Sequence, residues 1–122
     1  MKDNCRMLEL NSGTGIDATY FTSKGHSVLA TDLSDGMISE LKRKKIETRQ
    51  LSYENVNQIN EQFDYIFSNF GGLNCIDDLG KVTKHLPALL KPRGYVTWRD
   101  HAAHLPVGNC VVNVSVAFIE KA

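Results

Sequence analysis

Apolar and polar positions along this chain switch repeatedly between a period of two and a helical period. Residues 5–10, ending in an apolar/acidic alternation from Met7, run into a turn of Asn, Ser and Gly, which predicts a first strand. Residues 16–24 follow as a helix, with Ile16, Thr19 and Tyr20 on one face and Gly25 as its stop. Residues 26–31 predict a second strand that ends on Asp32. Ser34 is placed to cap a second helix, in which Met37, Ile38 and Leu41 fall at helical spacing. Residues 46–51 predict a third strand and residues 55–61 a short helix. Residues 63–69, aromatic and β-branched, are the most strand-like segment of all. A longer helix is predicted from Asp77 or Asp78, with Leu79, Val82, Leu86, Leu89 and Leu90 as its apolar face and Pro87 bending it. Lys91-Pro92-Arg93-Gly94 then breaks the helix, and residues 95–98 form a fifth strand.

Strand–helix alternation with short connections implies crossover units, hence a parallel sheet with helices on both faces. The expected fold is α/β: a Rossmann-like three-layer αβα sandwich around a mostly parallel sheet of about six strands. From Arg99 the pattern changes. Residues 100–108 show no clear period, and residues 111–119 read as one β-branched strand with no helix before it, so it is expected to return antiparallel. One domain over residues 1–122 is expected, with the alternating strand–helix pattern and its motifs at 5–98 and a divergent tail at 99–122. A strand in that tail could pair with an open sheet edge or with a neighbour's, which leads to the expectation of a homodimer.

Composition narrows the partners. At 122 residues the chain is long enough to bury a substantial core, and 42% hydrophobic residues are ordinary for a globular protein. Fourteen basic and fourteen acidic residues cancel, which argues against nucleic-acid or membrane-surface partners. The one basic cluster, Lys42-Arg43-Lys44-Lys45, sits where a helix C-terminus favours cations. Cys5, Cys75 and Cys110 are odd in number and share no metal-type spacing, so they read as reduced thiols. With no charged-then-apolar leader and no apolar run of bilayer length, the expected location is cytoplasmic.

Candidate chemistry collects where each predicted strand ends, which is where open parallel sheets bind ligands. Asn11-Ser12-Gly13-Thr14-Gly15 follows the first strand, Asp32 the second, Ser52-Tyr53-Glu54 the third and Ser68-Asn69 the fourth. A glycine turn leading into a helix exposes backbone N–H groups and has no Cβ in the way of a nucleotide-like ligand. Asp32, just past the second strand, could accept both hydroxyls of a ribose lying over that turn, or serve only as a turn residue. Gly13-Thr14-Gly15-Ile16-Asp17-Ala18 also satisfies the G-x-G-x-x-A dinucleotide pattern. Against a pyrophosphate stands Glu9, whose charge would repel it but would suit a ligand carrying an ammonium or sulfonium cation.

Taken together, these stretches resemble class I S-adenosylmethionine-dependent methyltransferases. Leu8-Glu9-Leu10-Asn11-Ser12-Gly13-Thr14-Gly15 is similar to the family's first motif, an acid followed by a glycine-rich loop, with Asn11 in place of its first glycine. Thr31-Asp32-Leu33-Ser34-Asp35-Gly36-Met37 resembles the next motif. Phe63-Asp64-Tyr65-Ile66-Phe67-Ser68 is similar to the fourth-strand motif, and Leu89-Leu90-Lys91-Pro92-Arg93-Gly94 to the turn before strand five. The order is that of the family, closest to the small-molecule methyltransferases of the ubiquinone/menaquinone type. The resemblance covers residues 5–98. Members usually carry N-terminal helices and a C-terminal strand hairpin that this sequence does not match, so it implies a member shortened at both ends.

The resemblance implies S-adenosyl-L-methionine as cofactor and a small molecule as methyl acceptor. It places Glu9, Gly13 and Gly15 on the methionine moiety, within a loop that also includes Asn11, Ser12 and Thr14, and puts Asp32 on the ribose. Leu33 and Met37 would pack near the adenine, Ser52 or Tyr53 would close over it, and Ser68 and Asn69 would face the reacting methyl. No catalytic triad is implied, because an activated methyl donor needs alignment more than acid–base help. His101 and His104 beside Asp100 read as solvent-facing, and no metal is expected. His26 reads as structural, and Tyr20, Tyr53, Phe67 and Phe70 as either cleft lining or core. Two further readings stay open: a non-catalytic cofactor-binding or interaction module, and an NAD(P)-dependent oxidoreductase.

Overall fold

A computed structural model describes residues 4–10, 12–13, 15–68, 84–99, 105–107, 110–112 and 116–120, the side chain of Tyr53 and those from residue 98 onward excepted. Its elements run β1 (Arg6–Glu9), α1 (Ile16–Ser23), β2 (Ser27–Asp32), α2 (Asp35–Arg43), β3 (Glu47–Gln50), a 3-10 helix (Tyr53–Gln58) and β4 (Phe63–Ser68). A helical turn (Leu86–Leu89), β5 (Leu90–Arg99), β6 (Leu105–Val107), β7 (Cys110–Val112) and β8 (Val116–Glu120) follow.

Six strands form one sheet in the order β3-β2-β1-β4-β5-β8, parallel except for β8, which runs antiparallel to β5. The chain winds outward from β1 to β3 on one side and then crosses to β4 on the other, so the strand order reverses between β1 and β4. In open parallel sheets such a reversal, at the carboxyl ends of the strands, is where ligands bind.

Because strand side chains alternate between faces, β1 feeds two cores at once. Met7 points to the face carrying α1 and α2, where it packs among Ala18, Val28, Ala30, Ile38, Leu41 and Phe67. Leu8 and Leu10 point to the other face, with Leu29, Val56, Ile66, Leu86, Leu89 and Val96, beneath the 3-10 helix and the helical turn. Three layers result, and β1 is apolar on both sides because both sides are covered. Glu9 continues the Met7 side at the strand's end, in register with Ala30 of β2 and Phe67 of β4.

The predicted elements reappear with several corrections. The shared face of Ile16, Thr19 and Tyr20 is the outer one: Ile16 is 67% and Tyr20 57% exposed, while Ala18 is buried and Phe21 packs inward against Phe67 and Tyr65. A short helix over a sheet buries whichever side its entry angle dictates, and small Ala18 permits the close approach. Helical structure after β3 begins at Tyr53, two residues earlier than expected, and is 3-10. Lys91-Pro92-Arg93-Gly94 does not separate a helix from a strand. It is an irregularity within β5, between the pairs Phe63–Leu90 and Tyr65–Tyr95, with Arg93 at φ 68°. A Cβ on Gly94 would stand 2.8 Å from the Lys91 carbonyl oxygen, so the bulge needs glycine there. Pro87 lies in the first turn of Leu86–Leu89, where its missing N–H has no helical partner to lose. The single tail strand expected at 111–119 is two, β7 and β8, and β6 pairs antiparallel with β7 in the stretch that showed no period. The expected helix start at Asp77 or Asp78, Leu79 and Val82, as well as Cys75, lies outside the described residues.

Candidate functional site

The site begins with a backbone reversal. After Glu9 the chain leaves the sheet through Leu10, whose N–H donates to the Phe67 carbonyl, and Ser12, whose N–H donates to the Thr31 carbonyl. The turn closes with the Gly15 N–H on the Ser12 carbonyl at 3.1 Å, and Gly13 and Gly15 take φ values of 59° and 83°. That left-handed backbone suits glycine. Gly15 has a second reason to be glycine: a Cβ there would lie 2.5 Å from Leu41 Cδ2, so the start of α1 is pressed against α2. No side chain caps α1 at Gly15.

Asp32 organises the same turn from below. Its Oδ2 accepts the Gly13 N–H and its Oδ1 the Ser34 N–H, each at 3.0 Å, so one buried carboxylate ties the loop after β1 to the loop after β2. Ser34 then caps α2 by accepting the Met37 N–H. Beside this junction Leu33 is 65% and Met37 38% exposed, apolar surface just past the carboxyl end of β2. Gln50, at the end of β3, holds the Leu33 carbonyl at 2.9 Å and Asp35 Oδ1 at 2.6 Å.

At the floor, pairing fails. Glu9 is 1%, Ser12 1% and Ser68 2% exposed, yet both Glu9 carboxylate oxygens and both serine hydroxyls have no hydrogen-bond partner among the described residues. Burial pushes the Glu9 carboxyl up to about 8. Ser12 works against that rise, and the negative charges of Asp17 and Asp32 add to it. An unsatisfied buried polar group costs about 1–3 kcal/mol, so several together at one end of two adjacent strands need an explanation.

Of the residues named from the sequence, the fold gathers Glu9, Ser12, Gly13, Gly15, Asp32 and Ser68 around the β1–β4 reversal, with Leu33 and Met37 just past the carboxyl end of β2. Ser52 precedes the 3-10 helix, and its hydroxyl accepts from the Asn55 side chain. Asn11, Thr14 and Asn69, like Asp100, His101, His104 and Phe70, lie outside the described residues, and no group of metal-ligating side chains occurs among those described. His26 accepts the Cys5 N–H on Nδ1 and edges onto Phe21, a structural contact. Sequence reasoning gave no role to Asp17, although it lies in the first turn of α1 two residues past the glycine turn. It also missed Gln50, whose contacts exist only because β2 and β3 align Asp32 with Gln50.

With this geometry in view, the comparison with known families is direct. A family model described as a methyltransferase domain matches residues 7–94, from β1 to the bulge of β5. The chain belongs to the methyltransferase domain family. A malonyl-(acyl-carrier protein) O-methyltransferase of Enterobacter lignolyticus is 30% identical over 100 residues, covering 80% of this chain and 39% of that protein. An S-adenosylmethionine dependent methyltransferase from Mesorhizobium loti superposes with a TM-score of 0.73 at 20% identity, over 80% of this chain and 47% of that one. A TehB-like SAM-dependent methyltransferase from Corynebacterium glutamicum gives 0.72 at 23% identity, over 80% and 55%. At such identities the two superpositions show the fold. This methyltransferase domain thus spans well under two thirds of the length of each of these relatives. No helix among its described residues is long and apolar enough to cross a membrane.

Proposed function

We propose that this chain binds S-adenosyl-L-methionine and directs transfer of its methyl group to a small-molecule acceptor by in-line displacement. One observation carries the reading: the unpartnered, buried Glu9, Ser12 and Ser68 at the β1–β4 reversal, under a left-handed glycine turn. These groups fit the cofactor. A buried acid without a cation suits the ammonium of an amino-acid moiety, unpaired hydroxyls suit its polar atoms, and Leu33 and Met37 offer apolar surface to a base. The pyrophosphate of a dinucleotide would meet the acids Glu9 and Asp32 at this end of the sheet, which disfavours the oxidoreductase reading.

The cofactor supplies an activated methyl on a sulfonium. The chain's own task is to bind and orient. Glu9, Ser12 and Gly13 hold the amino-acid end, the Asp32 loop carries the ribose, and Leu33 and Met37 cover the base, with Ser52 or Tyr53 closing over it. Ser68 and Asn69 would face the reacting carbon, where alignment of acceptor, carbon and sulfur would lower the barrier. In this structure Asp32 already accepts two backbone N–H groups, so any ribose hydroxyls would use its remaining lone pairs. The name of the Enterobacter relative, an O-methyltransferase, supports oxygen as one candidate acceptor atom. The reading treats residues 1–122 as one unit acting in the cytoplasm. Dimerisation through the β3 or β8 edge belongs to the same proposal and is tested by light scattering across concentrations, where a constant monomer mass removes it.

The decisive experiment is titration calorimetry with S-adenosylhomocysteine, followed by methyl transfer from labelled donor to a metabolite mixture. Saturable binding weakened about tenfold in Ser68→Ala is expected, a loss of roughly 1.4 kcal/mol. No binding by the wild type overturns the cofactor assignment. Binding without labelled product favours the non-catalytic module.

A further inference from the structure

Glu9 is the one acidic side chain of the sheet that, among the described residues, is both sealed from water and left without a partner on either oxygen. The charged groups acting on it from the elements packed around it are all anionic among the described residues. Asp17 comes from the first turn of α1 and Asp32 from the end of β2; β4 contributes Phe67 and Ser68, which carry no charge. The cations of α2, Lys42 and Arg43, sit exposed in its last turn, and Arg43 is engaged by Glu40. Ser12 alone works toward the ionised form. A carboxylate so placed cannot hold a negative charge cheaply; it keeps a proton until a cation arrives.

We infer that Glu9 exchanges a proton for the ligand's cation: the empty site is closed by a neutral carboxylic acid, and binding of an ammonium-bearing ligand releases that proton to solvent. The inference rests on the cofactor reading above and extends it to the charge state of the site and its selectivity. The O–H bond of Glu9 breaks, its proton passes to buffer, and the ammonium of the amino-acid moiety takes its place as counter-charge. Nothing else is consumed. Two consequences follow from linkage. Affinity for an ammonium-bearing ligand rises with pH, approaching tenfold per unit through the range below about 8, where the free carboxyl is protonated, and levels off above it. A ligand with the same nucleoside but no ammonium gains nothing from the exchange, so the site selects amino-acid-bearing nucleosides over bare ones more strongly as pH rises.

The test is calorimetry of the wild-type chain at pH 7 in buffers of different ionisation enthalpy, with S-adenosylhomocysteine and 5′-methylthioadenosine as probes. Close to one proton released per S-adenosylhomocysteine is expected, and none with 5′-methylthioadenosine. Glu9→Gln, which reproduces the neutral acid in shape, is expected to bind S-adenosylhomocysteine more weakly, without proton release and with pH-independent affinity between 6 and 8. Binding of S-adenosylhomocysteine to the wild type with no proton released overturns the exchange while leaving the cofactor reading standing. Release that persists in Glu9→Gln assigns the proton elsewhere and overturns it too. Absence of any binding overturns both. The buffer series on the wild type decides between exchange and no exchange even if the variant fails to fold.

Discussion

The two ends of β1 treat charge in opposite ways. Arg6 opens the strand at the amino ends of the sheet and is fully engaged. Its guanidinium pairs with Glu61 and Glu47, donates to Ser27 Oγ and lies over the Phe63 ring. Its backbone N–H donates to Asp64, which also meets Lys91. The pairing, led by the Glu61 hydrogen bonds, raises the Arg6 pKa and lowers that of Glu61. Three residues on, Glu9 closes the same strand with no counter-charge among the described residues and a carboxyl held toward its neutral form. Charge at the amino ends joins β1 to its neighbours; at the carboxyl ends it is left open. A fold that satisfies one end and not the other keeps the second for something that is not part of the chain.

The sharpest way to break this contrast is pH. The folded Glu9 carboxyl sits at about 8 against an ordinary 4.5, so between those values the folded chain holds more protons than the unfolded one. Stability without ligand therefore falls as pH rises through that window, by up to about 1.4 kcal/mol per unit, and is flat on either side. Denaturant titrations from pH 4 to 9 should show the decline in the wild type and a much shallower one in Glu9→Gln; parallel curves would remove the distinction. Next in size is Gly15→Ala, which combines a left-handed backbone with a Cβ contact of 2.5 Å to Leu41. It is expected to cost about 2–4 kcal/mol and to impair binding with it, measured by thermal unfolding.

Arg6→Ala should cost about 1–2 kcal/mol, modest because Glu47 and Glu61 are half-exposed and screened. Its affinity for S-adenosylhomocysteine should be unchanged. An effect on affinity would mean that the two ends are coupled through the strand. The smallest effect on stability belongs to Ser68→Ala. Removing an unpartnered buried hydroxyl should leave the unfolding midpoint equal or slightly raised, within about 1 kcal/mol, even as binding weakens. A clear loss of stability would reveal a partner and make Ser68 structural.

Much of this was legible in the residues, and the reasons differ by element. β1, β2 and β4 could be read because each is a short stretch rich in apolar, aromatic or β-branched residues that ends at a polar turn, and α2 because Ser34, Ile38 and Leu41 carry both its cap and its inner face. The inner side of α1 was not readable. Ile16 and Tyr20 suggest one apolar stripe, but the side that packs is chosen by the glycine turn and by Phe21 meeting the β4 aromatics. The bulge of β5 read as a break because Pro and Gly interrupt any local pattern, whereas the pairs Phe63–Leu90 and Tyr65–Tyr95 hold the strand together across it.

By itself the sequence determined the alternation of strands and helices, the glycine turn and the identity of the acids at the strand ends, because these depend on neighbours a few residues apart. Only the tertiary structure decided what surrounds those acids. Asp32, named as a ribose acceptor, is first of all the brace between two loops, since the Gly13 and Ser34 N–H groups converge on it. Glu9, named for its charge, lies between Ala30 and Phe67 with two anionic neighbours and no cation among the described residues. Whether a carboxyl is charged depends on the dielectric and the partners around it, and those are set by strand order and register.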